Sequence, residues 1–135
     1  MALHLSSNDQ KQLLHWAADA GQNECCGVLR GSDRKVTAVE WAANVAADPS
    51  RNFEIDPAAL IAVHKDVRTG GIPLLGYFHS HPNGLAEPSA LDIAQAAPDG
   101  LIWLIIAGGA VTAWQPIAIG AHVTGFTPVP LIVEG

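Results

Sequence analysis

The stretch Gly76-Tyr-Phe-His79-Ser-His81-Pro-Asn-Gly-Leu-Ala-Glu-Pro-Ser89-Ala-Leu-Asp92 contains the end of an apolar run, a loop and the start of a helix. Residues 73–79 are almost continuously apolar, which predicts a short strand that is covered on both faces. Residues 82–88 predict a loop because they are rich in Pro, Gly and Asn, and a short helix is expected to begin at Ser89. This buried strand is the element around which the rest of the fold is predicted.

The two histidines at the end of this strand are candidate metal ligands. Side chains alternate along a strand, so His79 and His81 face the same side and Ser80 points away from them. Asp92 lies in the first turn of the next helix, and the loop is long enough to fold back towards the histidines. Two His and one Asp form the ligand pattern of a catalytic zinc site, which keeps a fourth position open for water.

Each part of this pattern also has a purely structural interpretation. Ser89-x-x-Asp92 has the form of a helix capping box, and an acid is favoured near the positive end of any helix. A single His-x-His pair is weak evidence when it stands alone. The combination favours a metal site, because an apolar strand carries both imidazoles into one loop, where buried polar groups without partners are costly.

Upstream, the sequence predicts a helix and a pair of strands. Ser7-x-x-Gln10 has the pattern of a capping box, and apolar residues follow at helical spacing as far as Gly21. Residues 26–30 and 35–42 predict two strands joined by a Gly31-Ser32-Asp33 turn.

The remaining elements surround the central strand. Residues 44–56 predict a polar loop, after which Asp56-Pro57 opens a second helix that ends at Gly70-Gly71. Residues 101–107 and 110–117 predict a hairpin with a Gly-Gly turn, and the tail could add an edge strand. Helices and strands mixed around one sheet predict a single α+β domain over residues 1–135, in a three-layer α/β/α arrangement.

Composition and charge restrict the class of protein. The chain has 135 residues, of which 49% are hydrophobic and 15% charged, so a folded domain is expected and disorder is not. The net charge of -6 and the scattered Lys and Arg residues argue against nucleic acid and against an anionic membrane surface. The N-terminus has no signal-peptide pattern, so a cytoplasmic location is expected.

Adjacent cysteines cannot form the disulfide framework that secreted domains use. Cys25 and Cys26 are therefore expected to be small buried hydrophobic residues, although ligation of a soft metal stays open for them.

The motif His79-x-His81, seven residues, Ser89-x-x-Asp92 resembles the signature of the JAMM (MPN-plus) metallopeptidases. The segment Glu24-Cys-Cys-Gly-Val-Leu-Arg-Gly31 is similar to the glutamate-bearing strand of that family. The polar loop also resembles the family's connection into its second helix. The resemblance covers most of residues 10–117, and the absence of a long insertion after Asp92 is typical of the stand-alone prokaryotic type.

The resemblance implies roles for individual residues. His79, His81 and Asp92 would hold one catalytic Zn²⁺, and Glu24 would act as general base and acid on the water at the metal. Ser89 would donate a hydrogen bond to the oxyanion of the tetrahedral intermediate. Among the competing acids Glu40, Glu54 and Glu87, Glu87 ranks second because it lies in the loop between the ligands. The implied fold is the family's sheet flanked by helices, which is similar to that of cytidine deaminases.

The resemblance also implies an activity and a partner. The expected reaction is hydrolysis of an amide or isopeptide bond at the C-terminal glycine tail of a ubiquitin-like or sulfur-carrier protein. An extended tail is narrow enough to lie against an exposed strand. The sequence leaves open whether the bond is linear or an isopeptide, and whether the chain forms a homodimer.

Two other classes of protein also fit parts of this pattern. A metal-binding β-barrel of the cupin type would use Glu87 as a ligand and would be all-β, which the three predicted helices argue against. A non-catalytic, metal-stabilised module that binds protein tails would need a closed site, with Cys25 or Cys26 as the obvious fourth ligand.

Overall fold

The computed structural model describes residues 1–135 and contains three helices and eight strands. In chain order these are β1 (Leu3–Ser6), α1 (Ser7–Ala20), β2 (Cys26–Ser32), β3 (Lys35–Ala42), α2 (Pro57–Arg68), β4 (Leu74–Ser80), α3 (Ala90–Gln95), β5 (Ile102–Ala107), β6 (Ala110–Ile119), β7 (His122–Val129) and β8 (Leu131–Glu134). All strands belong to one sheet with the order β7-β6-β5-β4-β2-β3-β1-β8. The sheet is mixed: β4 runs parallel to β5, β1 runs parallel to β3 and β8, and the other neighbours are antiparallel.

Two hydrophobic clusters lie on opposite faces of this sheet. On one face Leu13 of α1 packs with Leu29, Phe78 and Leu104 from the central strands. On the other face Val63 of α2 packs with side chains that alternate with the first set, among them Cys26, Val28 and Ala42. Both faces of the central strands are covered: every residue of β5 is buried, and every residue of β4, the strand for which the sequence predicts this, is buried or half-buried.

The central pair β2–β4 packs closely around Phe78, which is fully buried. Phe78 lies opposite Gly27 in the register and stacks on Trp16 of α1, with 5.7 Å between the ring centroids. A Cβ atom at Gly27 would collide with the Phe78 ring and with the carbonyl oxygen of Glu40. The missing side chain of Gly27 therefore leaves space for the Phe78 ring, which packs between the sheet and Trp16 of α1. Replacement of such a buried Phe by Ala lowers the free energy of unfolding by about 3–5 kcal/mol.

Most of the predicted elements are present, with shifted ends. The two predicted helices after Asp56 and Ser89 begin with those residues as N-caps, and the Gly108-Gly109 hairpin is present with positive φ at both glycines. The predicted α+β class, with a single mixed sheet flanked by helices, is confirmed.

Two local predictions were wrong by one or two residues. The N-cap of α1 is Ser6, whose side chain accepts a hydrogen bond from the Asp9 amide, so the capping box predicted at Ser7 is not the one used. The turn between β2 and β3 is formed by Asp33 and Arg34, both at positive φ, and not by Gly31-Ser32-Asp33. Asp tolerates left-handed backbone conformations, which permits this tight hairpin turn without glycine.

The chain ends contribute more sheet than predicted. Leu3–Ser6 forms a strand between β3 and the tail, and the tail itself supplies two strands where one edge strand was expected. β7 and β8 form the two opposite edges of the sheet. None of the three helices is long and apolar enough to cross a membrane.

Candidate metal centre

β4 delivers the two histidines to the face of the sheet on which α2 packs. His79 is fully buried and His81 is 6% exposed, and their Nε2 atoms lie 3.0 Å apart. Ser80 points away, as predicted, and its hydroxyl accepts a hydrogen bond of 2.8 Å from the Cys25 amide. The alternation of the strand therefore gives the two imidazoles a common side.

Asp92 reaches the histidines from the first turn of α3. The backbone amide of Ser89 donates to Asp92 Oδ2 at 2.9 Å, and the Asp92 amide donates to Ser89 Oγ at 3.0 Å. The same Oδ2 atom lies 3.2 Å from His79 Nε2 and 3.0 Å from His81 Nε2. The predicted capping box is present, and it fixes the carboxylate against the histidines, so the structural interpretation of Ser89-x-x-Asp92 is compatible with the predicted metal site.

The arrangement of donor atoms fits a metal ion. A tetrahedral zinc site with ligands at about 2.0–2.1 Å separates neighbouring ligand atoms by about 3.3 Å. The Nδ1 atom of His81 lies 2.8 Å from the carbonyl oxygen of Leu85, which can only accept, so in the neutral ring Nε2 carries a lone pair. That lone pair faces the Asp92 carboxylate and His79 Nε2, an arrangement that a cation would satisfy.

The rings around His79 restrict its orientation. Phe53 stacks on the imidazole at 4.2 Å between centroids, and Trp103 meets it edge-on at 5.4 Å. The Nδ1 atom of His79 is buried and has no hydrogen-bond partner. A metal-ligating imidazole usually donates from its other nitrogen to an acceptor, whereas aromatic rings surround the imidazole of His79.

Glu24 joins this cluster from the segment before β2. Its side chain is 6% exposed, and one ligand atom each from Glu24, His79 and His81 lie within 4.8 Å of one another. The backbone of Glu24 is held on both sides: its amide donates to Pro49 at 2.7 Å and its carbonyl accepts from Asn44 Nδ2 at 2.9 Å. Its Oε1 atom is buried without a partner.

The competing acids lie elsewhere. Glu40 Oε1 accepts from the Arg30 guanidinium at 3.3 Å, and that buried Arg30 also pairs with Asp66. Glu54 and Glu87 are exposed, and neither belongs to the cluster formed by Glu24, His79 and His81. Glu24 is the one carboxyl outside the Ser89–Asp92 turn that this centre contains.

The two carboxyl groups of the centre have opposite electrostatic environments. Burial raises the pKa of Glu24 to about 7, nearby His81 lowers it and Asp92 raises it. Burial also raises the pKa of Asp92, but the hydrogen bonds with His79 and His81 outweigh burial and hold that pKa well below its usual range. Asp92 is therefore ionised near neutral pH, whereas Glu24 can bind and release a proton there.

The two histidines also differ. Complete burial lowers the pKa of His79, and the hydrogen bond with Asp92 offsets only part of this. Burial lowers the pKa of His81 too, but in the protonated ring both nitrogens donate, to Asp92 and to Leu85, and these hydrogen bonds outweigh burial and raise the pKa above the ordinary value.

A polar cleft of about 380 Å³ opens beside these residues, and no hydrophobic residue lines it. Its lining, called the polar cleft below, consists of Glu24, Ser50, Arg51, His81, Pro82, Asn83 and Ser89. Ser89 Oγ accepts a bond from the Asp92 amide, and no acceptor takes up its own hydroxyl proton. That proton can be donated to a molecule in the cleft.

The cysteines do not complete a closed metal site. Cys26 Sγ lies 3.6 Å from the carbonyl oxygen of Ala42, and Cys25 packs in the cluster under α1. Neither thiol belongs to the cluster formed by Glu24, His79 and His81. Burial raises the pKa of both thiols, that of Cys26 to about 12, so both are neutral near pH 7.

Sequence reasoning missed the residue that organises the loop over the centre. Asn44 uses its whole side-chain amide: Nδ2 donates to Glu24 and Asn52, and Oδ1 accepts from Ala46 and Glu54. The polar composition of residues 44–56 predicted a loop, but the spacing did not indicate that one asparagine ties it to Glu24.

Two curated relatives resemble part of the chain. The desampylase of Haloferax volcanii is 38% identical over 84 residues, which are 61% of this chain and 60% of that protein. A probable TtuB-protein conjugate cleaving protease of Thermus thermophilus is 40% identical over 63 residues, 47% of this chain and 43% of that protein. The matches thus span 43 to 60% of the length of these relatives.

Solved structures resemble the whole chain. A protein of Desulfitobacterium hafniense is 28% identical, with a TM-score of 0.81, and the match covers 98% of this chain and 92% of that one. A JAB1/MPN domain protein of Archaeoglobus fulgidus shares the fold, with a TM-score of 0.58 at 15% identity over 98% of this chain and 97% of that one.

The family assignment rests on a match that covers most of the chain. The model of the family described as prokaryotic homologs of the JAB domain matches residues 6–117, which include Glu24, both histidines, Ser89 and Asp92. The chain therefore belongs to the family of prokaryotic JAB-domain homologs, and the JAMM resemblance of its sequence is confirmed.

Proposed function

We propose that the protein is a zinc-dependent metallopeptidase that cleaves an amide or isopeptide bond at the C-terminal tail of a ubiquitin-like or sulfur-carrier protein. His79, His81 and Asp92 would hold the zinc ion, and Glu24 and Ser89 would act on the substrate. The relatives named for desampylation and for cleaving a protein conjugate support the substrate class. The donor set of two imidazoles and one carboxylate supports a metal site that keeps an open position.

The observation that carries this proposal is the pair of carboxyl groups around one histidine pair. Asp92 Oδ2 lies 3.2 Å from His79 Nε2 and 3.0 Å from His81 Nε2 and accepts from the Ser89 amide, which suits a fixed anionic ligand. Glu24 is buried with an unpartnered Oε1 atom and a pKa raised to about 7, which suits a group that exchanges protons near neutral pH.

Zinc, when bound, supplies Lewis-acid chemistry: it polarises the scissile carbonyl and favours deprotonation of a water molecule near pH 7. Glu24 would take the proton from the attacking water and return it to the leaving nitrogen. The C–N bond breaks, the acyl carbon gains the hydroxyl group, and the amine leaves with its proton. His81 keeps its Nε2 lone pair directed at the centre through the Leu85 carbonyl.

Ser89 would stabilise the negative oxygen that develops on the carbonyl. Its hydroxyl proton is free to be donated into the polar cleft, while its oxygen stays fixed by the Asp92 amide. A donor whose position is fixed before the reaction pays no reorganisation cost, and the loss of one such donor lowers kcat by about 10²–10³-fold.

The test is an incubation of zinc-loaded protein with a panel of ubiquitin-like and sulfur-carrier proteins that carry a C-terminal extension or a lysine-linked conjugate. Intact masses identify the bond that is cut. Glu24→Gln is the matched control, because it keeps the side-chain volume but cannot carry the proton.

Cleavage after the glycine tail by the wild type, and none by Glu24→Gln, is the expected result. Cleavage that survives in Glu24→Gln would overturn the role of Glu24. Binding of the tail without any cleavage by the zinc-loaded wild type would favour the non-catalytic tail-binding module.

A further inference from the structure

Arg51 is the cationic residue that lines the polar cleft. The chain has seven Lys and Arg residues and a net charge of -6, so a guanidinium beside Glu24 and His81 is a local exception. Two further cavities touch Glu24 or His81, and neither is lined by Lys or Arg. The Arg51 side chain makes no hydrogen bond or ion pair with the protein, in contrast to the buried Arg30.

The backbone around Arg51 is fixed relative to Glu24. The Arg51 amide donates to the Asp48 carbonyl at 3.2 Å, and the hydroxyl of Ser50 donates to Asp48 Oδ1 at 2.6 Å. Pro49 in the same turn accepts the Glu24 amide. Asn44 ties the two ends of the loop together and also binds the Glu24 carbonyl. An exposed side chain is therefore carried into the cleft by an ordered backbone.

The leaving group differs between linear tails and lysine-linked conjugates, and this difference matters beside Arg51. When the amine released is that of an amino acid or a short peptide, a carboxylate is connected to it through one or a few atoms. A guanidinium binds a carboxylate through two parallel hydrogen bonds. When the amine belongs to a lysine side chain, no carboxylate lies within a few atoms of it, so Arg51 would have no anionic partner on the leaving group.

We propose that Arg51 binds the α-carboxylate of a short C-terminal leaving group and thereby selects linear tails over lysine-linked conjugates. This inference rests on the proposed function, in which Glu24 protonates the leaving nitrogen. The reaction is amide hydrolysis: water adds across the C–N bond, and the acyl side becomes a carboxylate. The released residue keeps its own carboxylate, which stays bound to Arg51. The cleft volume of about 380 Å³ lies near the lower end of the range for small-molecule sites, which suits a leaving group of this size.

The test measures binding, so it does not depend on turnover. Zinc-loaded Glu24→Gln protein, labelled with ¹⁵N, is titrated with two synthetic peptides, acetyl-Gly-Gly-Ala as the free acid and as the C-terminal amide. The same pair is titrated into Glu24→Gln combined with Arg51→Gln. Arg68→Gln is the matched control, because it removes the same charge from the last turn of α2, away from the cleft.

The free acid is expected to bind about tenfold more tightly than the amide, the size of effect that one charge-assisted contact gives. Arg51→Gln should remove most of this preference, and Arg68→Gln should retain it. Equal affinity for the two peptides, a preference that survives Arg51→Gln, or no binding of either peptide at millimolar concentration would overturn the proposal. None of these outcomes affects the proposed function, which is judged by cleavage of the protein panel.

Discussion

Asp92 and Glu24 approach the same two histidines from different parts of the chain, and the protein holds their carboxyl groups in different ways. On the Asp92 side the capping box provides a backbone donor, and both imidazoles contact the same oxygen. On the Glu24 side the backbone is fixed by Pro49 and Asn44, while Oε1 has no partner. Hydrogen bonds thus outweigh burial for one carboxylate, and burial dominates for the other.

In the proposed mechanism this difference separates the metal ligand from the proton carrier, although both functional groups are carboxyls. A carboxylate that is fully hydrogen-bonded stays charged and fixed, which suits a metal ligand. A buried carboxyl group without partners has a raised pKa and can exchange a proton near neutral pH. The predictions below test this contrast, from the largest expected effect to the smallest.

Asp92→Asn should lower the affinity for zinc by more than about a hundredfold, because removal of a ligand should cost more than removal of a residue that supports a ligand. The amide oxygen can still accept the Ser89 amide, so α3 should remain folded. Zinc affinity is measured by competition with a chelator, and the fold by circular dichroism. Wild-type affinity for zinc in this variant would contradict the role of Asp92.

Glu24→Gln should lower kcat by about 10²–10⁴-fold, the usual contribution of a general acid–base group, while zinc stays bound. The measurement is turnover of whichever carrier the wild type cleaves, together with zinc content. If Glu24→Gln loses zinc as completely as Asp92→Asn, Glu24 is a ligand and the contrast between the two sides disappears.

Ser89→Ala should lower kcat by about 10²–10³-fold through loss of the oxyanion donor, and should also destabilise the protein by about 1 kcal/mol through loss of an N-cap. Ser6→Ala is the matched control, because Ser6 caps α1 by the same contact far from the centre. An equal loss of kcat in both variants would show that the effect of Ser89 is only structural.

The stability of the metal-free protein should depend on pH through Glu24. Its pKa is raised from 4.5 to about 7 on folding, so the folded state holds the proton more tightly. The corresponding stabilisation is complete below pH 4.5 and is lost as the pH rises through 7. The free energy of unfolding of the wild type, minus that of Glu24→Gln, should therefore fall over this range, by at most about 1.4 kcal/mol per pH unit.

Urea titrations at several pH values measure this difference. The titration of His79 is common to both proteins, whereas that of His81 is coupled to Glu24 and contributes to the measured difference. A difference that rises with pH would mean that Glu24 is ionised and partnered in the folded state.

Much of the fold was predictable because its signals are local. The apolar run of β4, the Asp56-Pro57 start of α2 and the Gly108-Gly109 hairpin each depend on a few neighbouring residues. The turn at Asp33-Arg34 and the strands at both chain ends were missed or misplaced. β1 and β8 are short; β8 becomes a strand by pairing with β1, and β1 by pairing with β8 and β3, which no local pattern shows.

The sequence by itself determined that two imidazoles and one carboxylate belong to one site, because they lie within 14 consecutive residues on a strand, a loop and one helical turn. Glu24 could be identified as a member of the site only through the resemblance to a family. The tertiary structure decided that Glu24, and not Glu40, Glu54 or Glu87, reaches the histidines, since this depends on the pairing of β2 with β4. The tertiary structure also decided how Asn44 binds the loop to Glu24 and that Arg51 lines the polar cleft. Contacts between residues far apart in the chain follow from the sheet register and the packing, which spacing along the sequence does not encode.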